Sequence, residues 1–217
     1  MAKKKEATAE DPAFRKAHEA IVQCQVERFR ISYKKYFDLE NTEKLVKFFF
    51  EKIYDLEAQD TIIQIAINTY RKVKGQLADD TRENLENLIE LNQLTNAMDR
   101  IMAEHLLKRG WKPGDAVSPE LYFELFKEVG REAERREQLK SALKSMMVSY
   151  QLAHRPMNEM LLKAGKGFAI MFGVLPLYDF IQEGYWATKG VKGDIFNEFI
   201  DEVTEVELAY IVKAFGE

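Results

Sequence analysis

The chain has 217 residues, of which 46% are hydrophobic, so it is long and apolar enough to form a sizeable core and is not disordered as a whole. It carries 32 lysines and arginines against 36 aspartates and glutamates, a formal net charge of −4. A dedicated duplex nucleic-acid binder carries a basic excess, so this charge argues against that class. The single cysteine, Cys24, excludes a disulfide framework and any cysteine-based zinc site.

The first eleven residues include three consecutive lysines, but the apolar stretch of a secretory signal does not follow them. We therefore predict a flexible tail over residues 1–11 and a single helical domain over residues 12–217. The longest apolar run, residues 168–178, has 11 residues, whereas a membrane-spanning helix needs about 20. A lone cysteine suits a reducing compartment, so we expect a cytoplasmic protein without a transmembrane segment.

Helix breakers are scarce in the first half of the chain. Over residues 13–109 the only glycine or proline is Gly75, and a sheet protein would need turn residues about every 8 to 12 positions. Helices are therefore predicted throughout this part. The first begins where Asp11 has the residue type of a cap and Pro12 takes the first helical position, and its apolar side continues toward Phe37.

Three more helices are predicted before the first clear loop. They span residues 41–55, then about Asp60 to Lys74, then about Asp80 to Arg109. The last of these has apolar residues at alternating steps of three and four, which places them on one face. His105 lies on that face and is interpreted as a buried, hydrogen-bonded core histidine, with a haem ligand as the alternative. The same face carries Leu88, Leu91, Met98 and Met102.

Residues 110–114, Gly-Trp-Lys-Pro-Gly, predict a loop because glycine and proline interrupt helices. After this loop, Ser118 and Pro119 have the residue types of a helix cap and a first helical position. The helix that they begin is predicted to reach Leu152.

The last third of the chain predicts two or three more helices. One or two span residues 157–189, with breaks or kinks at residues 165–167 and at Pro176. A final helix runs from Asp194 toward Phe215. The fold class is therefore all-α, a single compact domain of seven or eight helices. The inward side of the final helix is predicted to carry Phe196, Phe199, Ile200, Val203 and Val206.

Residue patterns that carry catalysis or bind metals are missing from the sequence. A di-iron bundle needs a glutamate three residues before a histidine, but Arg15, Met102 and Gln151 occupy those positions. The sequence has neither the Gly-x-Ser-x-Gly elbow of a serine nucleophile nor a phosphate-binding glycine motif. We therefore expect no catalytic residues, no metal and no cofactor, and a protein that acts by binding. An enzyme is the remaining alternative, and it would need a catalytic site that only the fold brings together.

The charges are distributed unevenly along the chain. Residues 135–166 carry seven basic side chains against two acidic ones, and residues 179–217 carry nine acidic against three basic ones. The basic segment predicts a site for a phosphate-rich anion or an anionic partner protein, because clustered arginines and lysines bind such groups. A solvated helix face is the alternative, since glutamates stand three or four residues before several of these bases. The predicted binding residues are Arg131, Arg135, Arg136, Lys140, Arg155 and Lys166.

The apolar run over residues 168–181 is interpreted as a central core helix, because a chain of this size needs one. The alternative is a protein that uses residues 168–185 to bind a hydrophobic ligand or a membrane surface, with Lys163, Lys166 and Trp186 nearby.

Four segments resemble an uncharacterised bacterial helical family known as FFLEELY. Residues 48–55, FFFEKIYD, resemble the motif that names the family. Residues 129–139, VGREAERREQL, are similar to a later helix of the family that begins with VGR. Residues 154–156, HRP, and residues 180–185, FIQEGY, are similar to its HP and FLE-G-F segments.

The chain departs from the family motif at Lys52, where an acidic residue is usual, and at Asp55, where a glycine often follows the tyrosine. The resemblance implies a helical fold and names no reaction. Some members are fused to CHAD domains, helical modules associated with inorganic polyphosphate. The resemblance therefore implies a connection with polyphosphate or related anions.

Overall fold

The structure is a computed structural model that describes residues 11–52, 64, 65, 67–71, 75 and 79–216. Nine helices have defined bounds in that part of the chain, which contains no strand, and residues 67–71 are helical as well. The all-α prediction is confirmed, but the predicted number of seven or eight helices was too low. None of the helices in the described part of the chain is long and apolar enough to cross a membrane. In chain order the helices are α1 Pro12–Ser32, α2 Lys34–Asp38, α3 Glu43–Phe50, α4 Asp79–Lys108, α5 Pro119–Val129, α6 Glu132–Ala153, α7 Pro156–Met171, α8 Leu175–Lys189 and α9 Gly193–Phe215.

Two predictions fall largely on residues that the structure does not describe. Of the tail predicted over residues 1–11, only Asp11 is described. Of the helix predicted over residues 60–74, only residues 64, 65 and 67–71 are described.

The predicted helix starts are confirmed at two caps. The Asp11 side chain accepts a hydrogen bond of 3.0 Å from the Ala13 amide, and proline occupies the first turn of α1. The Ser118 hydroxyl accepts a hydrogen bond of 3.2 Å from the Leu121 amide at the start of α5. Both caps satisfy amide groups that a first helical turn would otherwise leave unpaired.

Three predicted helices end earlier than the sequence pattern indicated. The first predicted helix stops at Ser32, and a separate helix, α2, begins after Tyr33. The helix predicted over residues 41–55 ends at Phe50, and residues 53–55 are not described. The helix expected to run to Leu152 is divided after Val129, because the next two residues have positive φ values of 69° and 60°. A glycine tolerates this left-handed backbone, whereas Arg131 is the only non-glycine in the described chain that adopts it.

The break predicted at residues 165–167 is wrong, since α7 continues through both glycines to Met171. The chain turns instead at Gly173, whose φ of 66° favours glycine. Pro176 lies in the first turn of α8, where a proline costs no hydrogen bond, so it begins that helix and does not kink it.

The core has two parts, and α9 contributes to both. One part gathers aromatic side chains of α1, α2, α3 and α9, with Phe50 and Phe199 among its members. The other gathers α1, α4, α5 and the C-terminal turns of α9, including Met102 and Ile211. The inward side predicted for α9 is confirmed at its buried members, Phe196, Phe199 and Val203, while Ile200 and Val206 are partly buried against the same cluster.

The interpretation of residues 168–181 as a central core helix is wrong. Phe168 and Phe172 are 63% and 69% exposed, and Ala169 is the only buried residue of α7. Pattern alone misassigns this segment because an apolar helix at the surface and one in the core have the same composition.

Candidate functional site

A cavity of about 150 Å³ lies between α1, α3, α4, α5, α6 and α9. Helix α4 lines it with Leu88, Asn92, Thr95 and Asp99, which recur at steps of four, three and four and so share one face. Helix α6, which packs against α4, lines it with residues at the same kind of spacing. The lining residues of α6 are Arg135, Gln138, Leu139, Ala142, Ser145 and Met146.

The cavity wall combines apolar and ionisable side chains. Aromatic and aliphatic side chains from six helices form the apolar part. Three arginine or glutamate side chains border the cavity besides Asp99: Arg28 on α1, Arg135 on α6 and Glu207 on α9. An apolar cavity with a few buried polar groups is the usual composition of a small-molecule site. The apolar lining includes Phe29, Phe49, Phe50, Leu88, Leu91, Phe126, Leu139, Met146, Val203 and Ile211.

Arg135 is 4% exposed and has incomplete hydrogen bonding. Its Nη1 donates to Gln138 Oε1 at 3.3 Å, and its Nη2 contacts the Met102 sulfur at 3.2 Å. Its guanidinium lies 4.4 Å from the centre of the Phe126 ring, and its Nε has no hydrogen-bond partner. A thioether is a weak acceptor, so this buried cation retains unused donors.

Asp99 is also 4% exposed and faces the same cavity. Burial raises the pKa of its carboxyl to about 7, and the positive charge of Arg135 opposes that rise. No hydrogen bond to the carboxyl contributes to this shift. At neutral pH this group is therefore poised between a carboxylate that accepts hydrogen bonds and an acid that donates one.

Arg28 and Glu207 form a fully paired cluster on another side of the cavity. The guanidinium donates to both carboxylate oxygens, at 2.9 and 2.6 Å, and lies 4.5 Å from the centre of the Tyr210 ring. Tyr33 donates its hydroxyl to the same carboxylate at 2.6 Å. Burial lowers the pKa of Arg28, but the Glu207 carboxylate outweighs it and the net shift is upward. This cluster links α1 to α9, and its hydrogen bonds are already formed within the protein.

The sequence did not single out Asp99, Arg28 or Glu207. A signal was present for Asp99, because it continues the α4 stripe of Leu88, Asn92 and Thr95 at helical spacing. No comparable signal identifies the other two, since each forms its pair with a residue 179 positions away.

A family model described as a domain of unknown function (DUF8198) matches residues 4–216. The chain belongs to this family. Membership agrees with the expectation of an uncharacterised family. Comparisons with curated proteins and with solved structures give no match.

Three of the six cations predicted to bind an anion lie on the first half of α6 or just before it, where Arg131 and Lys140 are exposed and Arg136 is half-buried. Arg131, Arg136 and Lys140 each pair with a glutamate three or four residues away, at 3.2, 2.7 and 3.6 Å. Exposed pairs of this kind are held weakly, so each cation is available to a competing anion at low cost.

The other three predicted cations lie elsewhere. Arg135 is buried at the cavity, Arg155 precedes the first turn of α7, and Lys166 is exposed on α7. Helix α6 has 22 residues, so it separates Arg131 from Arg155 by about 33 Å. The six cations therefore do not form one continuous patch.

The histidine predicted to lie in the core is only half-buried. His105 has a 26% exposed side chain, and its Nδ1 forms a hydrogen bond of 2.7 Å with Glu128 Oε1, so the predicted hydrogen bonding is confirmed but the burial is not. Neither His105 nor His154 lines the cavity. Among the described residues, no group of three or more His, Cys, Asp or Glu side chains is placed to hold a metal ion.

Proposed function

We propose that this protein binds a small molecule with an apolar body and one anionic group inside the helical bundle. The observation that carries the proposal is the presence of two buried ionisable groups, Arg135 with an unbonded Nε and Asp99 with a raised pKa, at a cavity with largely apolar walls. A bare buried cation is costly unless an acceptor reaches it. A ligand carboxylate would supply that acceptor.

The size of the cavity limits the ligand. A volume of about 150 Å³ is that of an engineered protein cavity that holds benzene. It suits a monocyclic carboxylate or a short-chain fatty acid. A nucleotide or a polyphosphate chain exceeds it.

Arg135 and Asp99 would form different hydrogen bonds with the ligand carboxylate. Arg135 offers its Nε and a weakly used Nη2 to the carboxylate, and arginine binds carboxylates through two parallel hydrogen bonds. Asp99 donates a further hydrogen bond when it is protonated. Binding of an anion therefore favours the protonated form of Asp99, and we expect affinity to rise as the pH falls through about 7.

Benzoate and its neutral analogue benzyl alcohol test the proposal. We expect benzoate to raise the melting temperature of the protein in a concentration-dependent way, more at pH 6 than at pH 8, and benzyl alcohol to have a much weaker effect. Equal effects of the two compounds, or no effect of benzoate, would contradict the assignment of Arg135 as an anion-binding group.

Ala142→Leu is the matched control because Ala142 lines the cavity without belonging to either polar group. The added side chain would fill roughly half of the cavity and stabilise the free protein by about 1 kcal/mol. The variant should then lose the response to benzoate while remaining folded. A stabilised variant that still binds benzoate would place the ligand elsewhere.

A groove between α6 and α9 favours a second candidate function. Arg136, Lys140 and Lys144 lie along it, with Met147 and Leu208 among its apolar lining residues. These cations support the binding of a phosphate-rich anion or an anionic partner protein, as the sequence and the FFLEELY resemblance suggest.

Polyphosphate is the probe for this second function. Replacing both Lys140 and Lys144 by glutamine should weaken its binding at least tenfold at low salt, and high salt should remove the difference. Lys127→Gln on α5 is the control, since that lysine is exposed outside the groove. Binding that is insensitive to salt, or equally weakened by the control, would refute this use of the groove.

A further inference from the structure

Gln138 joins the buried guanidinium of Arg135 to helix α4. Its side-chain oxygen accepts a hydrogen bond of 3.3 Å from Arg135 Nη1, and its side-chain nitrogen donates one of 2.7 Å to the Thr95 hydroxyl. All three side chains line the cavity. They therefore form a chain of two hydrogen bonds that crosses from α6 to α4 at the cavity wall.

This chain of hydrogen bonds fixes the direction of the Gln138 amide. An arginine can only donate hydrogen bonds, so the amide has to present its oxygen to Arg135. The amide nitrogen then faces Thr95, whose hydroxyl oxygen accepts the second bond. A reversed amide would place its own donors against those of the arginine and lose the bond. Thr95 therefore holds Gln138 in the orientation that Arg135 requires.

The bond to Gln138 leaves one edge of the guanidinium open. The N–H groups of Nε and Nη2 point in parallel along one edge of this planar group, and Nη1 lies outside that edge. Gln138 accepts from Nη1, Nε has no partner, and Nη2 contacts the Met102 sulfur, a weak acceptor. The open edge is one that binds a carboxylate through two parallel hydrogen bonds.

Gln138 is neutral, which distinguishes the surroundings of Arg135 from those of Arg28. Arg28, another buried arginine at the cavity, donates to both oxygens of the Glu207 carboxylate and so has a negative partner within the protein. Arg135 has an amide in the corresponding role. The carboxyl whose pKa Arg135 influences is Asp99, and burial keeps that group protonated up to a pKa of about 7. Gln138 therefore orients a buried cation without neutralising it.

We propose that Gln138 makes the cavity selective for an anion over a neutral molecule of the same shape. It holds one corner of the guanidinium, so that the open edge faces the ligand, and it leaves the positive charge for the ligand carboxylate to neutralise. Gln138 is a positioning residue, since it acts through Arg135, and Thr95 supports it from α4. The inference rests on the function proposed above and identifies the residue that sets the charge preference of that site.

Benzoate and benzamide test the proposal, because they have nearly the same shape and differ in charge. In isothermal titration calorimetry at pH 6, Gln138→Glu should weaken benzoate binding by about tenfold or more, since the new carboxylate pairs with Arg135 and repels the ligand. Benzamide should bind as tightly as it does to the parent chain. The free variant should melt at or above the temperature of the parent chain, because the buried cation gains a negative partner. A merely structural role would instead lower stability or weaken both ligands equally.

Thr95→Val and Thr95→Ser test the second hydrogen bond. Valine has the shape of threonine without the hydroxyl, so this variant should release Gln138 and weaken benzoate binding by about fivefold, with benzamide binding unchanged. Serine keeps the hydroxyl, so Thr95→Ser should bind benzoate as the parent chain does. Equal benzoate affinities for the valine and serine variants would show that Thr95 does not support Gln138.

Gln93→Glu is the matched control, since Gln93 is exposed on α4 and does not line the cavity. It adds the same charge and should leave both affinities unchanged. A parent chain that prefers benzoate to benzamide, with a Gln138→Glu variant that keeps this preference, would overturn the role of Gln138 and leave the proposed function standing. A parent chain that does not bind benzoate, or that binds both compounds equally, would overturn both.

Discussion

Replacing Asp99 by asparagine should remove a large part of the pH dependence of stability. Asp99 holds its proton in the folded state up to a pKa of about 7, whereas an ordinary aspartate releases it near 3.8. Burial causes this difference, and the charge of Arg135 reduces it. Because the folded state binds the extra proton between these two values, Asp99 makes the protein less stable as the pH rises through that range.

The size of the effect follows from the two pKa values. Between pH 5 and pH 8 the unfolded aspartate is ionised throughout, whereas the folded group goes from almost fully protonated to mostly ionised. The linkage relation then gives a loss of about 3 kcal/mol in the free energy of unfolding across this interval. Asparagine cannot titrate, so the variant lacks this contribution.

Urea unfolding of the parent chain and of Asp99→Asn at pH 5 and pH 8 measures the difference. Other groups that titrate in this range are present in both proteins and cancel in the comparison. Asp201→Asn removes an exposed carboxyl on α9 and should leave the pH dependence as it is in the parent chain. Equal slopes for the parent chain and for Asp99→Asn would refute the account of a buried, protonated carboxyl at the cavity.

Two further predictions concern packing and pairing. Gly184→Ala should destabilise the protein by about 2 kcal/mol, because the added Cβ would lie 2.5 Å from Phe48 Cζ. Gly167→Ala should instead stabilise the protein by about 1 kcal/mol, because no atom lies within 4 Å of the added Cβ and alanine favours a helix more than glycine does. Thermal unfolding measures both effects, and destabilisation by both variants would contradict the assignment of the Gly184→Ala loss to the close contact between Gly184 and the Phe48 ring. Glu207→Gln should lower the free energy of unfolding by about 3 kcal/mol, because it leaves the buried Arg28 without its carboxylate. Glu205 is exposed, so Glu205→Gln should change that free energy by less than about 0.5 kcal/mol. Similar losses in these two variants would show that the Arg28 pair is no stronger than a surface contact.

The sequence predicted those parts of the fold that depend on local residue patterns. Asp11 and Ser118 identified helix starts, because capping is a property of a few adjacent residues. The inward side of α9 followed from its spacing. The break at Gly130 was not predicted, because a single glycine within a helical pattern is compatible with either outcome.

The candidate site could be predicted only in part. Arg135 was selected as a cation, but its burial depends on α4 and α5 packing around it, which no local pattern specifies. Asp99 was overlooked because charged residues are assigned to the exposed face by default. The surface position of α7 was an open alternative, since composition cannot distinguish a core helix from an apolar helix at the protein surface.

A crystal structure of the protein grown with benzoate at pH 6 tests whether the cavity binds an anion through Arg135 and Asp99. We expect benzoate in the cavity, with its carboxylate within hydrogen-bond distance of Arg135 Nε and of the Asp99 carboxyl group. A cavity that stays empty, or benzoate bound only at surface cations such as Lys140, would contradict it.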